Sequence, residues 1–143
     1  MVKSTHLREM RDEALYDAYV KALESHNFRS QAEALDYVRT HESPRFYISA
    51  QFCWEIISQM LRGIPTYITG NQSKRKFAEL FRRYQIESQK PEYKGYPQEL
   101  ICEIIVGQPA PEFYINARTT RSIITRQREI RQRQFAKEWA SRD

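Results

Sequence analysis

The chain repeats one short segment, and this repeat constrains its fold more than any other feature of the sequence. Residues 43–50 read SPRFYISA, and residues 110–117 read APEFYINA. The correspondence continues downstream, where residues 56–58 (IIS) match residues 123–125 (IIT). A repeat defines the structural unit before any other argument, so the sequence predicts two similar units.

Chain length indicates that the two units pack together. The chain has 143 residues, so each copy has about half of them, and a unit that small buries too little surface to be stable alone. Residues 15–19 (LYDAY) resemble residues 80–84 (LFRRY), which carries the repeat upstream. We therefore expect a first copy over residues 1–66 and a second copy over residues 67–143, joined as one body.

Apolar residues recur at helical spacing in three stretches of each copy, which predicts a mainly α fold. Ser30, Ser49 and Asn116 are candidate caps, and Ser30 with Glu33 fits a capping box. The two Phe-Tyr-Ile segments are expected to be extended and to pair as a minimal strand element. The predicted helices cover residues 4–25, 30–41, 50–62, 73–85, 97–107 and 117–140.

Each copy is predicted to contain two helices, a connector and a third helix. This order of elements resembles the helix-turn-helix class, whose third helix can enter a major groove. The connector is about seven residues long, whereas the usual turn has three or four. The similarity therefore applies to the fold and carries no site residue.

The duplicated Pro-x-Phe-Tyr-Ile segment is similar to one in short proteins of commensal anaerobic bacteria, which carry a duplicated Ala-Pro-Arg-Phe-Tyr-like segment. The resemblance covers the chain from about Arg8 to Arg128. It implies a bacterial, phage or mobile-element setting. It implies no particular activity and no site residue.

Composition favours a globular protein of the cytoplasm. Hydrophobic residues make up 41% of the chain, which suffices for a core. The two cysteines, Cys53 and Cys102, are expected to be buried free thiols in a reducing compartment. No apolar run is long enough to span a membrane, and no signal peptide is predicted.

Positive charge is concentrated at the two ends of the second copy. Residues 74–83 carry five basic residues and one acidic residue, and residues 118–143 carry eight basic and three acidic residues. The chain as a whole has a net charge of +5. This asymmetry indicates a polyanionic partner.

The last helix is the predicted contact surface for nucleic acid, with DNA favoured over RNA. It uses arginine almost exclusively over lysine, which favours bidentate contacts to phosphate or guanine. The helix over residues 50–62 has one acid and one base, so the first copy is expected to be structural. The candidate contact residues are Arg118, Thr119, Arg121, Ser122, Arg126, Arg128 and Arg131, with a second basic rim at Lys74, Arg75, Lys76, Arg82 and Arg83.

A structural or adaptor protein, such as a virion or assembly component, is the alternative. A basic C-terminal helix is also typical of a solvated face, because arginine near a helix C-terminus suits the dipole. Trp54, Phe135 and Trp139 would then anchor a protein partner or a second copy of the chain. Otherwise we expect Trp54 to cover the interface between the copies, and Phe135 and Trp139 to dock back on the body.

No catalytic motif is present, so the sequence predicts a non-enzymatic protein without a metal or cofactor. His6, His26 and His41 have no metal-ligand spacing around them. No glycine-rich phosphate loop and no nucleophile motif is found. Glu42 and Glu112 lie at non-matching positions of the two copies, which does not support paired acid–base chemistry.

Overall fold

The computed structural model describes residues 4–142, and the described chain is mainly α-helical, as predicted. A 3-10 turn at Pro91–Tyr93 precedes the fifth helix, and no strand is formed within residues 4–142. The six helices are α1 (Ser4–Ser25), α2 (Gln31–Arg39), α3 (Ala50–Leu61), α4 (Asn71–Ser88), α5 (Gln98–Val106) and α6 (Ala117–Ala140).

Side-chain caps start three of the helices where the sequence placed them. Ser30, Ser49 and Asn116 each accept a hydrogen bond from the backbone N–H three residues later, at 3.2, 3.1 and 2.7 Å. In the predicted capping box, Glu33 accepts from the backbone N–H of Arg29 rather than from that of Ser30. Each cap satisfies a donor that the first helical turn leaves free.

Helix α4 is longer than predicted at both ends. It starts at Asn71, directly after Gly70, whose backbone has a φ of 86°. This left-handed conformation favours glycine and turns the chain into the helix without a side-chain cap. The expected start at Ser73 is therefore wrong by about half a turn of helix.

The buried apolar side chains form two clusters of three helices each. One cluster contains α3, α4 and α5, with Ile56, Leu80 and Ile105 at its centre. The other contains α1, α2 and α6, with Leu15 and Ile124 fully buried. We call these the central cluster and the terminal cluster.

Each cluster takes its helices from both halves of the sequence. Helix α3 follows α2 in the chain but packs against α4 and α5, and α6 follows α5 but packs against α1 and α2. The third helix of each predicted unit thus lies with the first two helices of the other. Neither cluster coincides with residues 1–66 or with residues 67–143, because the third helices are exchanged.

Two crossing segments carry the chain between the clusters in opposite directions, residues 40–49 from α2 to α3 and residues 107–116 from α5 to α6. Ser43 and Ala110 form an isolated antiparallel bridge, with N–H···O distances of 2.8 and 2.9 Å. This bridge precedes the Phe-Tyr-Ile segments, which are not themselves paired as strands. Tyr114 has a φ of 58°, so the second segment is not extended along its whole length.

Backbone hydrogen bonds anchor each crossing segment to the far side. The N–H of Phe46 donates to the carbonyl of Val106 at the end of α5, at 3.0 Å. The N–H of Phe113 donates to the carbonyl of Arg39 at the end of α2, at 3.2 Å. Both bonds satisfy carbonyls that a helix C-terminus leaves without an intrahelical partner.

Candidate nucleic-acid interface

Helix α6 has one buried face and one exposed face. Ile123, Ile124 and Gln127 are buried against α1 and α2, together with Thr120 near the start of the helix. Thr120 is fully buried and its hydroxyl donates to the carbonyl of Asn116 at 2.7 Å, which satisfies the polar group. The packing therefore fixes which side of α6 faces solvent.

Four predicted arginines lie on the exposed side of α6. Arg118, Arg121, Arg126 and Arg128 are all exposed. Among residues 4–142, none of the four takes part in an ion pair. Glu129 is the one acid that the helix carries before its last turn. The positive charge of these four arginines is thus not offset by a bound carboxylate.

Helical geometry arranges this charge in two rows. Arg121 and Arg128 are two turns apart on one edge of the exposed face, and Arg126 and Arg133 are two turns apart on the other. From Arg118 to Arg128 the helix rises about 15 Å. The rows therefore present several guanidinium groups over a length comparable with a few nucleotides.

Thr119 and Ser122 are exposed between these arginines. The backbone N–H of Thr119 already donates to the Asn116 side chain. The first turn of α6 therefore has one fewer free N–H group to offer to a phosphate. The hydroxyl groups of Thr119 and Ser122 are the polar atoms that this part of the helix presents.

Arg131 has a different environment from the other arginines of α6. Its Nη2 donates to the Asp17 carboxylate at 2.7 Å, and its guanidinium lies 4.5 Å from the ring centre of Tyr16. Both contacts tie α6 to α1. Arg131 is half-buried and serves the packing of the terminal cluster.

One acidic side chain, Asp36, lies near the basic surface at the start of α6. A cleft of about 270 Å³ lies between α2 and the start of α6, and Asp36 lines it opposite Arg118 and Arg121. The Asp36 carboxylate accepts a hydrogen bond from Arg39 at 2.8 Å. Because Arg39 holds this charge, the cleft leaves the two α6 arginines unpaired.

The arginines of α4 are engaged within the fold. Arg75 pairs with Glu112 and lies 5.7 Å from the ring centre of Tyr114. Arg83 donates to Glu79 at 3.0 Å and to the carbonyl of Pro109 at 2.7 Å. These contacts hold the second crossing segment against α4.

The rest of the predicted rim is divided between exposed and partly buried positions. Arg82 pairs with Glu79, and the hydrogen bond from Arg82 keeps the pKa of that carboxyl below its ordinary value. Lys74 is exposed, whereas burial, and secondly the charge of Arg11, lowers the pKa of the Lys76 ammonium group. Helix α4, which carries the rim residues, packs in the central cluster, whereas α6 packs in the terminal cluster.

Trp54 is half-buried against the central cluster, and its indole N–H donates to Gln98 at 3.2 Å. It covers the contact between α3 and α5.

Phe135 and Trp139 do not dock on the body, contrary to expectation: they are 67% and 63% exposed. Instead their rings stack on each other, with centres 6.3 Å apart and planes 20° apart.

Sequence reasoning missed the ion pairs that occupy the α4 rim. One signal was available, because Glu79 precedes Arg82 and Arg83 at the spacings that place side chains together on a helix. The partner of Arg75 lies 37 residues away, so no local pattern could identify it.

Residues 4–142 hold neither a cluster of metal ligands nor a membrane-spanning helix. Among residues 4–142, no three His, Cys, Asp or Glu side chains gather where they could hold a metal ion. Over the same residues, no helix combines the length and apolar character that crossing a bilayer requires.

No protein-family model matches this chain, and neither a curated protein nor a solved structure matches it significantly. Function is therefore inferred from the chemistry of the site alone.

Proposed function

We propose that this chain is a small, non-enzymatic nucleic-acid-binding accessory protein of a bacterium, phage or mobile element, acting in the cytoplasm. The binding surface is the exposed side of α6. The observation that carries the proposal is that α6 presents exposed arginines with no ion pair among residues 4–142, including Arg118, Arg121, Arg126 and Arg128. Lysine and arginine contacts to phosphates supply most of the affinity of such proteins.

We further propose that the two copies have diverged in role. Helix α3 carries one charged residue, Glu55, and its apolar face closes the central cluster. Helix α6 occupies the corresponding place in the second copy and carries six arginines. The first copy would then be structural, and the second would hold the partner, with DNA favoured over RNA.

The test is fluorescence anisotropy of labelled duplex DNA, single-stranded DNA and RNA over a range of salt concentrations. The variant Arg118→Ala/Arg121→Ala/Arg126→Ala/Arg128→Ala should lose most of its affinity. Its log–log salt slope on duplex DNA should become shallower by about 0.9 for each phosphate contact removed.

A charge-matched control separates a binding surface from a general effect of net charge. Lys21, Arg29, Arg62 and Lys94 are exposed and lie outside α6. Replacing all four by alanine removes the same charge and should weaken binding far less. Equal losses in the two variants would refute α6 as the contact surface.

An adaptor protein is the second candidate, because the exposed Phe135–Trp139 pair suits a protein groove as well. It predicts self-association or capture of a protein, with no affinity for nucleic acid at low salt. Analytical ultracentrifugation beside the anisotropy titration distinguishes the two functions.

A further inference from the structure

The C-terminal end of helix α6, which we call the projecting end, is exposed to solvent. Arg131 is the final residue tied to α1, and every residue from Gln132 to Arg142 is exposed. The nine residues from Gln132 to Ala140 add about 13 Å of helix. This projecting end makes no packing contribution to either cluster.

Two aromatic rings lie on the projecting end. Phe135 and Trp139 are one turn apart, and their stacked rings leave outer faces open to solvent. Phe135 also borders an open cleft with Tyr16, Arg128 and Gln132. The aromatic surface is therefore continuous with the arginine row that begins at Arg121 on the same edge of the helix.

The charge around the rings selects among possible partners. Arg121 and Arg128 lie on the same edge of α6 as the aromatic pair, whereas Arg133 and Lys137 lie on the far side of the helix. An excess of positive charge beside exposed aromatic faces suits a ligand that brings both phosphates and free π-faces. Unpaired nucleotides supply both, whereas the bases of a duplex are stacked on each other and are not available.

We propose that the projecting end of α6 binds single-stranded nucleic acid by stacking unpaired bases on Trp139 and Phe135. The inference rests on the proposed function and specifies its ligand. The arginines nearer the body hold the backbone, and the aromatic pair distinguishes a single strand, or a duplex with a single-stranded extension, from a blunt duplex.

Intrinsic tryptophan fluorescence tests the stacking directly. In a Trp54→Phe background, Trp139 is the sole tryptophan of the chain. Titration with a 12-nucleotide oligothymidylate or oligouridylate should quench its emission at the concentrations that raise the anisotropy of the labelled oligonucleotide. A blunt 12-base-pair duplex should leave the emission largely unchanged.

The variant Phe135→Ala/Trp139→Ala measures the contribution to affinity. It should weaken single-strand binding at least fivefold, which is about the lower limit for one base–aromatic stack, and leave duplex binding within twofold. Leu23→Ala/Tyr67→Ala removes two other exposed apolar side chains and should change neither affinity. Because both aromatic residues are largely exposed, the variant keeps its fold, as circular dichroism would verify.

The outcomes separate this inference from the proposed function. If the four-arginine variant loses binding while the aromatic variant binds single strands normally, α6 is the interface and the stacking is refuted. If the wild-type protein binds no nucleic acid, both proposals fail. If the aromatic variant instead abolishes self-association and leaves the oligonucleotide affinities unchanged, the pair is a contact between copies and the inference is overturned.

Discussion

The ring of Phe46 stacks on the ring of Tyr114, with centres 6.0 Å apart and planes 16° apart. Tyr47 and Phe113 form the reciprocal pair, at 6.4 Å and 5°. Each stack joins a phenylalanine of one copy to a tyrosine of the other. The Phe46–Tyr114 stack belongs to the central cluster and the Tyr47–Phe113 stack to the terminal cluster, so each cluster contacts both connections.

Removing one ring of the crossing should destabilise the whole molecule. Phe46 is 1% exposed, and the guanidinium of Arg83 lies 4.9 Å from its ring centre. Phe46→Ala should lower the free energy of unfolding by about 3–5 kcal/mol, measured by urea denaturation, since it creates a buried cavity. Phe135→Ala is the matched control, and its exposed site should change the free energy by less than about 0.5 kcal/mol.

The side-chain caps of α3 and α6 should contribute similarly to the free energy of unfolding. Ser49→Ala and Asn116→Ala each remove one acceptor from a free backbone N–H, so each should cost about 1 kcal/mol of stability. Asn71→Ala serves as the control, because Asn71 follows the cap position of α4, where no side-chain bond is made. A loss at Asn71 as large as that at Asn116 would contradict the role of capping.

Stability should fall at alkaline pH because of Tyr114. Burial, and secondly the charge of Glu112, raises the pKa of the Tyr114 hydroxyl to about 12 from an ordinary value of 10.0. The folded state then holds the proton more tightly than the unfolded state, so the contribution is complete below pH 10 and is lost as pH rises toward 12. Tyr114→Phe removes this dependence.

The measurement compares urea denaturation of the wild type and Tyr114→Phe at several pH values between 8 and 12. The difference in free energy of unfolding should shift in favour of the variant above pH 10. Burial also raises the pKa of Tyr47 and of Tyr84, so part of the alkaline loss should remain in the variant. If the free energy of unfolding changes with pH equally in the two proteins, Tyr114 does not contribute to the alkaline loss of stability.

Arginines of α6 should differ in their importance for binding. Arg126 is exposed, whereas Arg131 is committed to Asp17 and Tyr16. Arg126→Ala should therefore weaken binding to nucleic acid more than Arg131→Ala, and only the former should make the salt slope shallower, by about one unit. Fluorescence anisotropy of both variants at identical salt concentrations measures the two affinities. A larger loss of affinity for Arg131→Ala than for Arg126→Ala would contradict the assigned roles.

The two cysteines should be unreactive in the folded protein. Cys53 and Cys102 are fully buried in the central cluster. A hydrogen bond with the Cys102 thiol, together with burial, raises the pKa of the Cys53 thiol, so little of the reactive thiolate forms. Labelling with Ellman's reagent should be slow at neutral pH and rapid for both thiols in denaturant. Rapid labelling without denaturant would show that the cluster opens.

The sequence alone was sufficient to predict the helices and the residues at which several of them start. Ser30, Ser49 and Asn116 cap the helices that periodicity predicted, since both signals depend on neighbours within one or two turns. Exposure of the α6 arginines also follows from local spacing, once Ile123 and Ile124 are taken as the buried face.

Only the tertiary structure decided which helices pack together. The apolar pairs of α3 and α6, residues 56–57 and 123–124, are both Ile-Ile. The sequence pattern therefore allows either helix to pack against α1 and α2 or against α4 and α5. In the structure, the antiparallel bridge between Ser43 and Ala110 holds the two connections side by side in the exchanged arrangement. The same long-range geometry pairs Arg131 with Asp17 and Arg75 with Glu112, which separates arginines that serve the fold from those left open to a ligand. Local periodicity carries no information on contacts between residues this far apart in the chain, because packing in three dimensions alone determines them.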